Sequence, residues 1–229
     1  MAKTEYERYI RTDELFALMR PRDALAAPDE LLFQVTHQTA ELWMQVCLHD
    51  VDRAVRFLDE NRVIEASDLF ARVAMMEELL ARQLEILEKM PPKQYVHIRR
   101  TLGRGSGQES PGFNAMLKMG EAIWPRLDAL LTRRKVALTD ILDAPEKHAD
   151  LHILLRSLYE LDGRFRTWRF MHFRLVERQI GAYVDSLKGI PAEQLSKGVR
   201  EHLLPELWAA VNDFTRAVDS PKNEPLGHH

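Results

Sequence analysis

The stretch RTWRFMHFRLVERQIG, residues 166–181, sets one histidine, His172, among aromatics and arginines. On a helix, the side chains one turn to either side of it are Trp168, Arg169, Leu175 and Val176. An imidazole bedded in apolar surface with a cation close by suits haem, which needs a nitrogen for iron, apolar porphyrin walls and positive charge for the propionates. That reading makes His172 the axial iron ligand and Trp168 and Arg169 further cofactor-binding residues. The plainer reading is a core helix whose arginines reach outward and whose histidine is satisfied by hydrogen bonds. Residue types alone favour the plainer one.

Other residues offer chemistry and carry plain readings too. Phe33 and His37 are four apart and share a helix face, where a lone histidine is usually a satisfied core residue. His37 with Glu41, and His148 with His152, have the i,i+4 spacing of helix-borne metal ligands. Such pairs are common by chance, and the Glu-x-x-His repeats of di-iron bundles are absent. The loop GRGSGQESPG, residues 103–112, could cradle a phosphate, but it lacks the lysine and serine or threonine of a P-loop. It reads as a tight connection, with Ser106 able to face a cavity.

Helices must position these groups. Glycine and proline are missing from Asp29 to Met90, so two long helices fit there, with a break near Asn61. Leu32, Val35, Thr39, Leu42, Val46 and His49 recur at helical spacing in the first. Ile64, Leu69, Val73, Met76, Leu80, Leu84 and Leu87 do so in the second. Pro91-Pro92 opens a short helix to about Leu102, and further helical patterns cover about 113–131, 145–187 and 191–218, with Gly163 a joint in the second. Alternating valine- and isoleucine-rich segments do not occur, so strands are not expected.

The 229 residues are 45% hydrophobic and 29% charged, which fits a globular protein with a substantial core. Lys+Arg at 32 against Asp+Glu at 35 gives a net charge of -3, no general reason to expect nucleic acid or an anionic membrane as partner. A single cysteine, Cys47, rules out an internal disulfide and suits a reducing cytoplasm. The start, MAKTEYERYI, has no apolar stretch to act as a signal peptide, so a cytoplasmic location is expected. The closing Gly227-His228-His229 has the form of a purification-tag remnant and is left out of any metal reading. The expectation is an all-α bundle in one domain over 1–229, with a flexible tail at 219–229.

Several segments carry a resemblance. LLFQVTHQTAELWMQ resembles the distal-pocket helix of tryptophan 2,3-dioxygenases, a phenylalanine, three residues, then HQT-x-ELW. YVHIRRTLGRGSG is similar to that family's tyrosine, three residues, arginine and glycine- and serine-rich loop. WRFMHFRLVERQIG resembles its proximal helix, EYERYIRTDELF its N-terminal Tyr-x-x-Tyr-Leu segment, and LLPELW a stretch near its C-terminus. The resemblance implies an all-α bundle enclosing haem b, with His172 as proximal ligand and His37 as the distal residue that hydrogen-bonds an indole N–H. It implies that Phe33 packs on the indole, that Arg99 holds a carboxylate, and that Tyr95 and Ser106 line the pocket. Tyr6, Tyr9 and Ile10 match a segment that reaches into a neighbouring subunit's site, so residues 1–20 form an intersubunit arm of a homo-oligomer, a dimer or tetramer.

The implied activity is haem-dependent insertion of dioxygen into an indole ring of tryptophan or a derivative. Departures bear on the substrate. After Gly181 the family carries a Gly-Thr-Gly-Gly loop whose threonine helps to bind the substrate ammonium, where this chain reads AYVDSLKGIP. The region between Lys118 and Pro145 is also shorter, and GSGQESPGF stands where the family has SGFQS. The alternatives are haem-dependent monooxygenation of another aromatic, or a haem-binding or metal-binding bundle without turnover.

Overall fold

A computed structural model of the chain describes residues 3–103, 105, 107–181 and 198–219. Among the described residues the regular structure is helical, with no strand. Helices α1 (Glu5–Ile10) and α2 (Thr12–Ala17) make an N-terminal arm. Thr4 and Glu7 cap α1 reciprocally, and Arg11 turns the chain into α2 at φ 55°. Neither helix buries a residue.

The long helices α3 (Glu30–Asp59) and α4 (Val63–Leu87) form a hairpin, and Asn61 turns it at φ 60°. Asparagine tolerates that left-handed conformation better than most residues. Next come α5 (Pro92–Thr101), α6 (Pro111–Met116), α7 (Met119–Arg134), α8 (Leu138–Asp143), α9 (Ala149–Ile180) and α10 (Pro205–Val218). Helix α4 packs along both α3 and α9, while α6 and α7 rest on α3, and α10 rests on α8. Because α4 has a neighbour on two sides, it is buried around much of its circumference, at Ala66, Leu69, Phe70, Val73, Ala74 and Met76. Phe70, Phe165 and Leu58 are wholly buried, and each such side chain contributes about 1.5–3 kcal/mol.

Polar ties fix the outer elements to this core. The carboxylate of Asp162 on α9 accepts the Trp208 indole N–H at 2.7 Å and the amides of Leu203 and Leu204 at 3.3 Å each. A Cβ on Gly120 would lie 1.8 Å from the Leu203 carbonyl, so only glycine lets α7 approach that segment. Asp29 N–H donates to Gln94 at 2.8 Å, and Gln179 donates to the Met90 carbonyl at 3.0 Å, joining α3 and α9 to the α4–α5 connection.

The structure departs from the periodicity reading in several places. The stripe Val35, Leu42 and Val46 faces outward, and α3 buries Met44, Cys47, Val51, Ala54 and Leu58 instead. Equal apolar spacing on both faces of one helix leaves periodicity unable to choose between them. The pattern at 113–131 is two helices broken at Leu117–Lys118. Gly163 does not interrupt α9, because an α-helix tolerates one glycine at about 1 kcal/mol. Residues 145–148 are a 3-10 turn before α9, and α8 was not anticipated. Ser106, residues 182–197 and the tail from 220 lie outside the described residues.

Candidate active site

His37 and His172, 135 positions apart in sequence, line one cavity of about 160 Å3. α3 supplies Phe33, Thr36, His37 and Ala40, one face of its first turns. α9 supplies His172, Leu175, Val176, Gln179 and Ile180, again at three- and four-residue steps. Leu84, Leu87 and Met90 close one wall, and Tyr95, Arg99 and Leu102 come from α5 and its end. Gly105 and Gly107 bring the glycine-rich loop to the rim.

His37 has a defined tautomer. Its Nδ1–H donates to the Phe33 carbonyl at 2.7 Å, which leaves Nε2 as the lone-pair nitrogen. Packed protein around the ring holds its pKa below the ordinary histidine value, against the opposing pull of the Phe33 carbonyl and of Glu41. The ring nonetheless keeps accessible area, because it faces the cavity. A neutral acceptor therefore points from α3 at physiological pH. The Phe33 ring lies 4.1 Å from His37 and 6.1 Å from Tyr95, centroid to centroid. Burial raises the Tyr95 phenol, with Arg99 pulling the other way.

Burial pushes His172 down to about 4, and positive charge on His37 would push it further. It too is a neutral imidazole. Its ring stacks on Trp168 at 5.8 Å and 16°, and Trp168 stacks in turn on Phe165 at 6.0 Å. Trp168 thus backs the histidine without lining the cavity. Arg169 turns elsewhere: it pairs with Glu201 at 3.2 Å, and its guanidinium lies 5.7 Å from the Phe165 ring centre.

The structure brings Phe33, His37, Tyr95, Arg99 and His172 together. Tyr6, Tyr9 and Ile10 stand apart on α1, with Tyr6 70% and Tyr9 87% exposed. Among the described residues no three His, Cys, Asp or Glu side chains come together as a metal site, so His148 and His152 have no third ligand there. Sequence reasoning missed Thr36 and Gln179. Gln179 was within reach, being seven positions after His172 and so on the same face of α9. Among the described residues, the buried Gln179 side-chain oxygen has no hydrogen-bond partner.

No described helix is long and apolar enough to cross a membrane. The chain is 25% identical to a tryptophan 2,3-dioxygenase of Myxococcus xanthus, over 93% of this chain and 90% of that one. Identity is 28% to the Erythrobacter litoralis enzyme of that name, over 88% and 95% of the two chains. It is 29% to the Caulobacter vibrioides one, over 89% and 96%. Residues 1–124, more than half the chain, match the family model described as tryptophan 2,3-dioxygenase, and the chain belongs to that family.

Proposed function

We propose that this protein is a haem-dependent oxygenase that inserts dioxygen into the indole ring of tryptophan or a tryptophan derivative. The observation that carries the reading is the pair of neutral imidazoles, from α3 and α9, on one largely apolar cavity. The residues fit a haem. His172 offers an unprotonated nitrogen at low cost, because its pKa is already far below neutrality, and Leu175, Val176, Leu84 and Leu87 supply apolar walls. When bound, haem iron would supply the activation of dioxygen.

The chain's own residues do the rest. His172 would hold the cofactor, and Trp168 stacked behind it limits rotation of the ring. His37 receives the substrate's indole N–H on Nε2, with the Phe33 carbonyl fixing the opposite nitrogen as donor. Phe33 and Tyr95 form an aromatic wall for the indole plane, and Arg99 is the cation that reads a carboxylate. The apolar lining excludes water from the ring under attack. Ser106, at the glycine-rich loop, belongs to the same proposal.

The working unit is a homo-oligomer. Tyr6, Tyr9, Phe16 and Leu18 on the arm are exposed, and so is the outward stripe Val35, Leu42 and Val46 on α3. Apolar surface of that kind marks an interaction site, and a second copy of the chain is the occupant this reading assigns to it.

Absorption spectroscopy of the purified protein tests the reading. The wild type should show a Soret band, and His172→Ala should lose or shift it. Incubation of the ferrous protein with indoles should then consume oxygen and give a product two oxygen atoms heavier. A product heavier by one oxygen would favour monooxygenation, and an unchanged spectrum in His172→Ala would remove His172 as the residue that holds the iron.

A further inference from the structure

Glu41 follows His37 by one helical turn on α3, yet it turns away from the cavity toward the glycine-rich loop. One of its oxygens accepts the Ser110 hydroxyl and the other accepts the Gly112 amide at 3.0 Å. Ser110 is itself the N-cap of α6, and its oxygen accepts the Phe113 amide at 3.0 Å. A serine N-cap alone serves a six-residue helix. A half-buried carboxylate brought from a different helix does something further: it fixes where α6 begins relative to α3. The contact is close by construction, since a Cβ on Gly112 would stand 2.7 Å from the Glu41 oxygen and 3.0 Å from the Met44 Cβ.

What this clamp holds lies on both sides of it. Upstream in the chain, Gly105 and Gly107 form part of the cavity wall. Downstream, Phe113 packs on Trp168 at 5.3 Å, and Trp168 stacks on His172 at 5.8 Å. We infer that Glu41 is a positioning residue that sets the glycine-rich loop over the cavity and the Phe113–Trp168 stack behind His172. This rests on the site proposed above, and it adds a residue that touches neither substrate nor cofactor. Glu41 couples the helix that reads the indole to the helix that holds the cofactor.

The test uses full-length, haem-loaded Glu41→Ala, Glu41→Gln and Ser110→Ala. It reads the affinity of the ferric protein for two probes, L-tryptophan and 3-methylindole, and hydrogen exchange across residues 107–116. Loss of a charge-assisted bond should weaken both probes about tenfold in Glu41→Ala and speed exchange in that segment by at least about tenfold. Glu41→Gln keeps an acceptor for the Gly112 amide and a polar group for Ser110, so it should stay within about threefold of wild type. Ser110→Ala removes the loop side of the clamp and should fall between them. It decides the matter if Glu41→Ala does not fold, because an unchanged affinity and exchange in Ser110→Ala overturns the proposal. So does a Glu41→Gln as impaired as Glu41→Ala, which would mean that Glu41 acts as a charge on His37. A wild type that binds neither haem nor probe would defeat the oxygenase reading instead, while leaving the exchange comparison to judge the clamp.

Discussion

Replacing Glu77 by methionine should stabilise the protein, and more at pH 8 than at pH 5. Glu77 lies on α4, is wholly buried, and among the described residues neither of its carboxyl oxygens has a hydrogen-bond partner. Burial, aided by the negative charge on Asp162, raises its pKa well above the ordinary carboxyl value. The folded protein therefore keeps a proton that the unfolded chain releases above about pH 4.5. With more protons on the folded state, stability falls as pH rises from the unfolded value to the folded one. Methionine is of similar length, removes both unpartnered oxygens and abolishes that slope. Leaving a buried polar group unsatisfied costs about 1–3 kcal/mol, so the variant should gain roughly that much at neutral pH. For a chain of this size, that is a midpoint rise of about 2–4 °C per kcal/mol. Urea unfolding of both proteins at pH 5 and pH 8, at equal haem content, measures it. A variant less stable than wild type at both pH values, or one with the same pH slope, would refute the reasoning.

Arg99→Ala should weaken a carboxylated indole by one to two orders of magnitude, for about 1.5–3 kcal/mol of charge-assisted bonding, and leave plain indole nearly unaffected. Titration of both ligands checks this, and equal losses would mean that Arg99 shapes the pocket only. His37→Ala should slow turnover about tenfold or less, since a neutral hydrogen bond contributes about 0.5–1.5 kcal/mol. Because the pKa of His37 is lowered, Nε2 stays an acceptor through neutrality and is lost only below the ordinary histidine range. A pH–rate profile that falls between pH 7 and 6 in the wild type, and not in His37→Ala, would contradict it. Deleting residues 1–11 removes Tyr6, Tyr9 and Ile10 and should lower both the mass in solution and the activity. Light scattering with an activity assay tests this, and full turnover at unchanged mass would sink the arm's role.

How much of this could be read from the chain depends on how local each signal is. The α3–α4 hairpin was legible because the 62 residues from Asp29 to Met90, without glycine or proline, leave the helix nothing to stop it except Asn61, which takes the left-handed turn. The end of α6 was not, because Leu117 and Lys118 carry no breaker. That helix begins where Ser110 and Glu41 place it, and Glu41 is far away in sequence. The same holds for the cavity. Phe33 and His37 announce a shared face by spacing, and Tyr95 with Arg99 does so on α5, but no periodicity says that the α3 and α9 faces meet. Only the family motifs around His37 and His172 bridged that distance. Arg169 shows the opposite limit: an arginine next to an aromatic helix face could serve a propionate, yet Glu201 from a later segment takes it. Charged side chains are long enough to choose among several partners, and the choice is made by the fold. Gln179, Glu77 and Asp162 follow from this too. A buried polar group in an apolar stripe is visible in sequence as an exception, but whether it clamps a neighbour, as Asp162 does, or stands unpaired, as Glu77 does, depends on which helix packs against it. Sequence therefore fixes where such exceptions occur, and tertiary packing decides which of them stabilise and which are carried at a cost.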